Sequence, residues 1–440
     1  MAAVRGGGTR SRYGGSRSCL RTRPKTSLSG TREGIALLNR IFRIVAVVFV
    51  LVWGFTGVVA RAEPDVSQQV VLTLPEPTGE DAVGVVDLHL VDGSRRDAYG
   101  PGGARELMVS VWYPAAAEAR SPRRAWLSPN MARIYAGSLT RVGAATDGQW
   151  VFTPGHGGVG ADAEATGGRR PIVMFSPGLG MPRELSTAQA EDLASHGFVV
   201  VTMSHTYESA ATEFPGGRIE RNALPVAKDA AEAESQVAAA LATRVADTRF
   251  VLDELGDIAA GKNPDAAEQP LPANLARVLD MSKIVMYGHS LGGATAAQAM
   301  HDDPRIAAAA DLDGGLWGSV ARDGVDRPFM LISGNAASRA DVPGWQQFWD
   351  ATRGPKFHFR LVGAQHHSFC DNQFVAAPLV AAQRLPAAAA AELVGTIDPQ
   401  VSLALQNVYL RSFFNTALGR YDRLLQAPGD LLHPDMVPVP

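Results

Sequence analysis

Ser290 stands in the run Gly288-His289-Ser290-Leu291-Gly292, between a short apolar stretch, residues 284–287, and a segment of small, strong helix formers reaching Met300. Strand, sharp turn and helix in that order are the context of a G-x-S-x-G nucleophile elbow. A serine hydroxyl is a weak nucleophile until a base stands beside it and N–H donors face the place where negative charge gathers. Glycines flank the serine because the turn packs strand on helix with no room for a Cβ. The N–H of Leu291 then opens the helix where an oxyanion would form. A second donor is expected from a loop at another strand end. Residues 171–176 read as a buried strand ending in Pro177-Gly178-Leu179-Gly180, which offers the N–H of Leu179. The rival glycine run Gly155-His156-Gly157-Gly158 follows no strand pattern.

Three more strand-like runs follow the elbow, residues 306–312, 328–333 and 356–361. The first ends at Asp311-Leu312-Asp313-Gly314, and the third leads into His366-His367-Ser368-Phe369-Cys370-Asp371. A serine at the elbow, an acid after a later strand and a histidine after a still later one is the chain order of α/β hydrolases. Asp341, in the loop after the second run, is a rival acid. The histidines are scattered and form no H-E-x-x-H or Cys/His ligand spacing, so neither metal nor cofactor is expected. Cys370 reads as a small packing residue.

The elements around these residues point the same way. Residues 83–91 and 106–113 alternate as an antiparallel opening pair, and residues 183–196 and 198–203 complete a strand–helix–strand unit, hence a parallel sheet with helices on both faces. Residues 114–170 are an excursion without apolar runs for a core of its own. The long crossover before the elbow carries Val237, Leu241, Val245, Leu252 and Leu255 on one helical stripe. His205, just after a strand, either lines a pocket or caps the strand end. The expected plan is a lead-in over residues 63–83, an α/β-hydrolase catalytic domain over 84–425, and a Pro-rich tail over 426–440.

Residues 1–62 read as a signal peptide or signal anchor: 11 Lys/Arg against one acid, an uncharged, mostly apolar run of 17 residues at 44–60, and Ala60-Arg61-Ala62 in the A-x-A pattern of a cleavage site. Cleavage would give a secreted chain, and retention a membrane anchor through residues 44–60. Cys19 falls in this leader, which leaves Cys370 without an internal disulfide partner. Beyond it 30 bases face 43 acids. Such a body argues against nucleic acid as a partner.

Several stretches match one family in order. Phe175-Ser176-Pro177-Gly178-Leu179-Gly180, Asp192-Leu193-Ala194-Ser195-His196-Gly197-Phe198, the elbow through Thr295, and the histidine segment resemble the platelet-activating factor acetylhydrolases of the plasma and intracellular type II kind and their bacterial relatives, over residues 84–375. The resemblance implies a serine carboxylic-ester hydrolase acting through an acyl-enzyme on short-acyl lipid or phospholipid esters, with contact to a lipid surface. It implies Asp313 as the acid and His366, first residue of an H-x-[SN]-F-x-D segment, as the base, with Ser290 as nucleophile and the N–H groups of Leu179 and Leu291 as oxyanion donors. His367 is then a neighbour. Pro177 departs from the family's usual histidine and alters pocket detail. A lipase or cutinase-like polyester esterase, with Asp341 as its acid, and a non-catalytic hydrolase-fold binding protein are the alternatives.

Overall fold

The computed structural model describes residues 69–116, 121–145, 150–334, 336, 338–420, 422–426 and 433–440. The expected leader, residues 1–62, and its apolar run lie outside the described residues. Among the described residues no helix is long and apolar enough to cross a membrane.

One sheet of eleven strands organises the chain. Its centre is six parallel strands in the spatial order Val199–Ser204, Arg170–Ser176, Leu279–His289, Ile306–Leu312, Phe329–Ser333 and Lys356–Leu361. The opening pair, Ala82–Arg96 and Ala104–Ala115, is antiparallel and joins the sheet through antiparallel pairing with Val199–Ser204. At the far edge Met436–Pro438, inside the segment expected to be a tail, pairs antiparallel with Lys356–Leu361.

Central strands are apolar on both faces because both faces are covered. Ile172 and Met174 pack on one side with the helices Ala230–Ala259 and Leu291–Asp302. Val173 and Phe175, one residue out of step, pack on the other with Thr187–Ser195 and Pro399–Ala417. The expected stripe along the long helix is buried as a row: Val237, Leu241, Val245, Leu252 and Leu255.

The excursion does build structure. Arg123–Ala125 and Pro154–Val159 extend the sheet, so Gly155-His156-Gly157-Gly158 lies within a strand rather than in a loop after one. A helix, Pro129–Leu139, is capped by the Ser128 hydroxyl, which accepts the Met131 N–H at 3.1 Å, with proline in its first turn. Its Met131, Tyr135 and Leu139 join a third apolar cluster with Met181, Leu185, Phe374 and Leu393. The excursion therefore has no core of its own and completes one shared with the loops after residues 176 and 361.

Candidate active site

The strand Leu279–His289 turns at Ser290 into the helix Leu291–Asp302. Ser290 has φ 58° and ψ −125°, a conformation costly for any residue with a side chain. The flanking glycines are sterically required. A Cβ on Gly288 would lie 2.1 Å from the backbone of Gly292, and one on Gly292 would lie 1.9 Å from the carbonyl oxygen of Ser176. The Ser290 N–H is held by Leu312 O at 2.9 Å, which ties the turn to the next strand.

Three loops converge there. The Ser290 hydroxyl lies 3.0 Å from His366 Nε2, and His366 Nδ1 lies 2.8 Å from Asp313 Oδ2. Asp313 follows the strand Ile306–Leu312, and its other carboxylate oxygen accepts the Gly334 N–H at 2.8 Å, so one oxygen is fixed by backbone and the other faces the imidazole. A hydroxyl, an imidazole and a carboxylate linked in this order can pass a proton from the first to the second while the third orients the ring. The other acid is elsewhere engaged: Asp341 Oδ2 accepts the Ser338 N–H at 2.8 Å in a capping box.

Around the linked residues lies a cavity of about 870 Å³, counted to its open mouth. It is lined by Ser290 and His366, by Gly178, Leu179 and Gly180 of the loop after a central strand, and by Leu127, Met131, Ile134 and Leu139 of the excursion. Leu291 is buried at the start of the elbow helix, where the first-turn N–H groups have no intrahelical acceptor. Gly178 packs against the serine closely enough that a Cβ there would meet Ser290 Cβ at 3.3 Å.

Two histidines shape this site without joining the chain of bonds. His289 Nε2 donates to His366 O at 2.8 Å and fixes the histidine turn to the elbow strand; burial, then its neighbours His366 and His367, hold its imidazole neutral, well below the usual range. It is the variable residue before the serine, and no pattern marked it. His367 lines the cavity with its Nδ1 against Asn372 Nδ2 at 2.9 Å, and Asn372 Oδ1 takes the Tyr135 hydroxyl at 2.5 Å. Burial and the adjacent His366 push the His367 imidazole down to about 3. Cys370 is buried, and burial raises its thiol above the usual range. His205 does not line the cavity. It is wholly buried between Ser176 Oγ and Asp247 Oδ2, each at 2.9 Å, because the strand it ends is central and covered. His156 is likewise remote, bonded to Glu191 at 2.8 Å.

A mostly parallel sheet with helices on both faces and a strained serine between strand and helix defines an α/β hydrolase. The family model for platelet-activating factor acetylhydrolase, isoform II, matches residues 67–426, and the chain belongs to that family of serine carboxylic-ester hydrolases. It is 27% identical over 397 residues to a probable 1-alkyl-2-acetylglycerophosphocholine esterase of Arthroderma benhamiae, covering 83% of this chain and 93% of that one. It is 28% identical over 267 residues to the platelet-activating factor acetylhydrolase of Cavia porcellus, covering 58% and 59% of the two chains. A solved ferulic acid esterase of Streptomyces cinnamoneus superimposes with a TM-score of 0.68 at 30% identity, covering 84% of this chain and 99% of that one.

Proposed function

We propose that this hydrolase works through an acyl-enzyme on Ser290 and takes short-acyl lipid or phospholipid esters. The observation that carries the mechanism is the unbroken link from the Ser290 hydroxyl through His366 to Asp313, its first two members lining an apolar cavity. In this reading neutral His366 takes the serine proton as Ser290 attacks the ester carbonyl. Asp313 holds the ring and stabilises the imidazolium. The N–H groups of Leu179 and Leu291 receive the oxyanion, each lowering the barrier by about 3 kcal/mol. The leaving alcohol takes the proton from His366, and water, activated by the same imidazole, resolves the acyl-enzyme.

The substrate class rests on family and on relatives whose names specify acetylated glycerophosphocholines. A second reading, a bulkier acyl or aryl ester, is favoured by the likeness to a ferulic acid esterase. Turnover of p-nitrophenyl esters from acetate to palmitate, beside a platelet-activating factor analogue and a feruloyl ester, separates them. Preference for acetate and the analogue supports the first, and an optimum at longer or aromatic acyl groups replaces it. No turnover of any ester, together with tight ligand binding, would favour a non-catalytic binding protein.

Export belongs to the same proposal. The run at residues 44–60 and Ala60-Arg61-Ala62 support cleavage, which places the mature terminus at Glu63. Amino-terminal sequencing of protein from the medium should find Glu63, whereas intact chain found only in membranes means a retained anchor.

A further inference from the structure

Beneath the loop that carries Leu179 lies a wholly buried group of charges. Arg244, on the long helix Ala230–Ala259, sends Nη1 to Pro177 O at 2.5 Å and Nη2 to Gly178 O at 3.3 Å. Its Nε donates to Glu208 Oε2 at 2.5 Å, and Nη1 also reaches Ser176 Oγ at 3.3 Å. One turn along the same helix face, Asp247 accepts from Arg105 Nε and Nη2 at 3.1 and 2.7 Å, and meets His205 at 2.9 Å. His205 completes the circuit to Ser176 Oγ at 2.9 Å.

We propose that Arg244 is a positioning residue that aims the N–H of Leu179 at the reacting centre. The inference rests on the reading of that N–H as an oxyanion donor. A peptide unit is planar and trans, so the carbonyl of Gly178 and the N–H of Leu179 belong to one rigid plate and point in opposite directions. Whatever holds the oxygen therefore sets the direction of the N–H. The Gly178 oxygen is held twice, by Arg244 and by the Met181 N–H at 3.0 Å, while the neighbouring Pro177 oxygen is held by the same guanidinium.

A forked, planar donor can span two successive carbonyls, and an ammonium cannot do so with fixed geometry. The cation also pulls electron density toward the Gly178 oxygen, which makes the N–H on the far side of the plate a stronger donor. Glu208 balances the buried charge, so that the guanidinium stays in place without a substrate. The arrangement is complete before any ester arrives, as preorganised electrostatic stabilisation requires.

The test compares steady-state kinetics and melting of four variants of the full chain. Losing one oxyanion donor costs about 100- to 1000-fold in kcat, and a donor that is present but loosely aimed should cost less. Arg244→Met should lower kcat about 30-fold and Arg244→Lys about fivefold, with KM within about threefold in both. Affinity for an alkylboronic acid, whose tetrahedral adduct places an oxygen in the hole, should fall in the same proportion as kcat. Val251→Ala, a core cavity on the same helix away from the loop, should lower Tm and leave kcat unchanged. If Arg244→Met does not fold, Arg244→Lys decides the matter, since it keeps a cation facing Glu208. A folded Arg244 variant with wild-type kcat and boronate affinity overturns the proposal, as does a kcat loss that Val251→Ala reproduces at equal Tm. Leu179→Pro separates the two levels by deleting the N–H. If it is fully active the donor reading falls, and if it is slow while the Arg244 variants are fast only the role of Arg244 falls.

Discussion

Two Ser–His–Asp chains run through this molecule with nearly the same geometry. Ser290, His366 and Asp313 are joined at 3.0 and 2.8 Å, and Ser176, His205 and Asp247 at 2.9 and 2.9 Å. Bond lengths do not tell them apart; surroundings do. The first chain opens on a cavity, with the His366 side chain 27% exposed, whereas the side chains of His205 and Asp247 are wholly enclosed. The serine of the first stands on a strained turn in front of helical N–H groups, and that of the second ends a regular strand against Arg244. Burial and the Arg244 charge hold the His205 imidazole down at about 4, despite its bond to Asp247. A histidine so reluctant to take a proton is a poor base and a good strut. The same three residue types thus stand open to a cavity in one place and locked inside the fold in the other.

The comparison breaks most sharply at the two serines. Ser290→Ala should lower kcat by about 10⁵-fold or more with Tm near wild type, while Ser176→Ala should stay within about tenfold in kcat and lose about 1–2 kcal/mol of stability from the orphaned partners. A fluorophosphonate probe, with peptide mapping, should label Ser290 once and leave Ser176 unlabelled. The reverse pattern would exchange the roles of the two chains. At the acids, Asp313→Asn should cost about 10⁴-fold in kcat by favouring the wrong imidazole tautomer. Asp247→Asn should instead cost about 3 kcal/mol, because Arg105, left with Asp97 alone, and Arg95 both lose a buried carboxylate, as urea melts would register.

The buried chain also carries a pH signature. Unfolded, His205 titrates near the ordinary 6.5, and folded at about 4, so the folded chain binds fewer protons between those values and loses stability as pH falls through that window. The loss is roughly 3 kcal/mol at most. His205→Gln lacks this titration, so the stability difference between wild type and variant should shrink from neutral pH to about pH 4, and a constant difference would place a charged imidazole in the fold. The smallest effects are expected beside the open chain. Asp341→Asn and His367→Ala should keep kcat/KM on p-nitrophenyl acetate within about tenfold, roughly 1.4 kcal/mol. A dead Asp341→Asn variant would move the acid one strand on and remove the main support for a short-acyl substrate.

What could be read from the sequence follows the range of the interactions involved. The elbow is local: its strand, glycines and helix lie within about twenty residues, and each stands where the spacing put it. The second glycine turn, at residues 177–180, was legible for the same reason, as was the stripe of the long helix. Asp313 was not singled out by spacing alone, since Asp311 stands two residues away and Asp341 after the next strand; its place at a strand end and the family pattern together favoured it. The helix Pro129–Leu139 carried a signal in Ser128 followed by Pro129, a cap and a first-turn proline, obscured by the polar residues around it. The ring of Arg105, His205, Asp247 and Arg244 joins residues up to 142 apart in sequence, and pattern reading has no access to such pairings. His205 looked like a loop residue at a strand end and proved to be enclosed, because what covers it comes from a helix forty residues later.

The backbone at Ser290 bears on what this chain has been kept for. A side chain at φ 58° and ψ −125° costs on the order of 1–3 kcal/mol that glycine would largely avoid. Drift toward a sturdier protein would therefore remove the serine early, and a chain retained only to bind would lose nothing by the exchange. Ser290→Gly should melt higher than wild type and turn over nothing, which would make the serine a standing burden on the fold that only chemistry can justify.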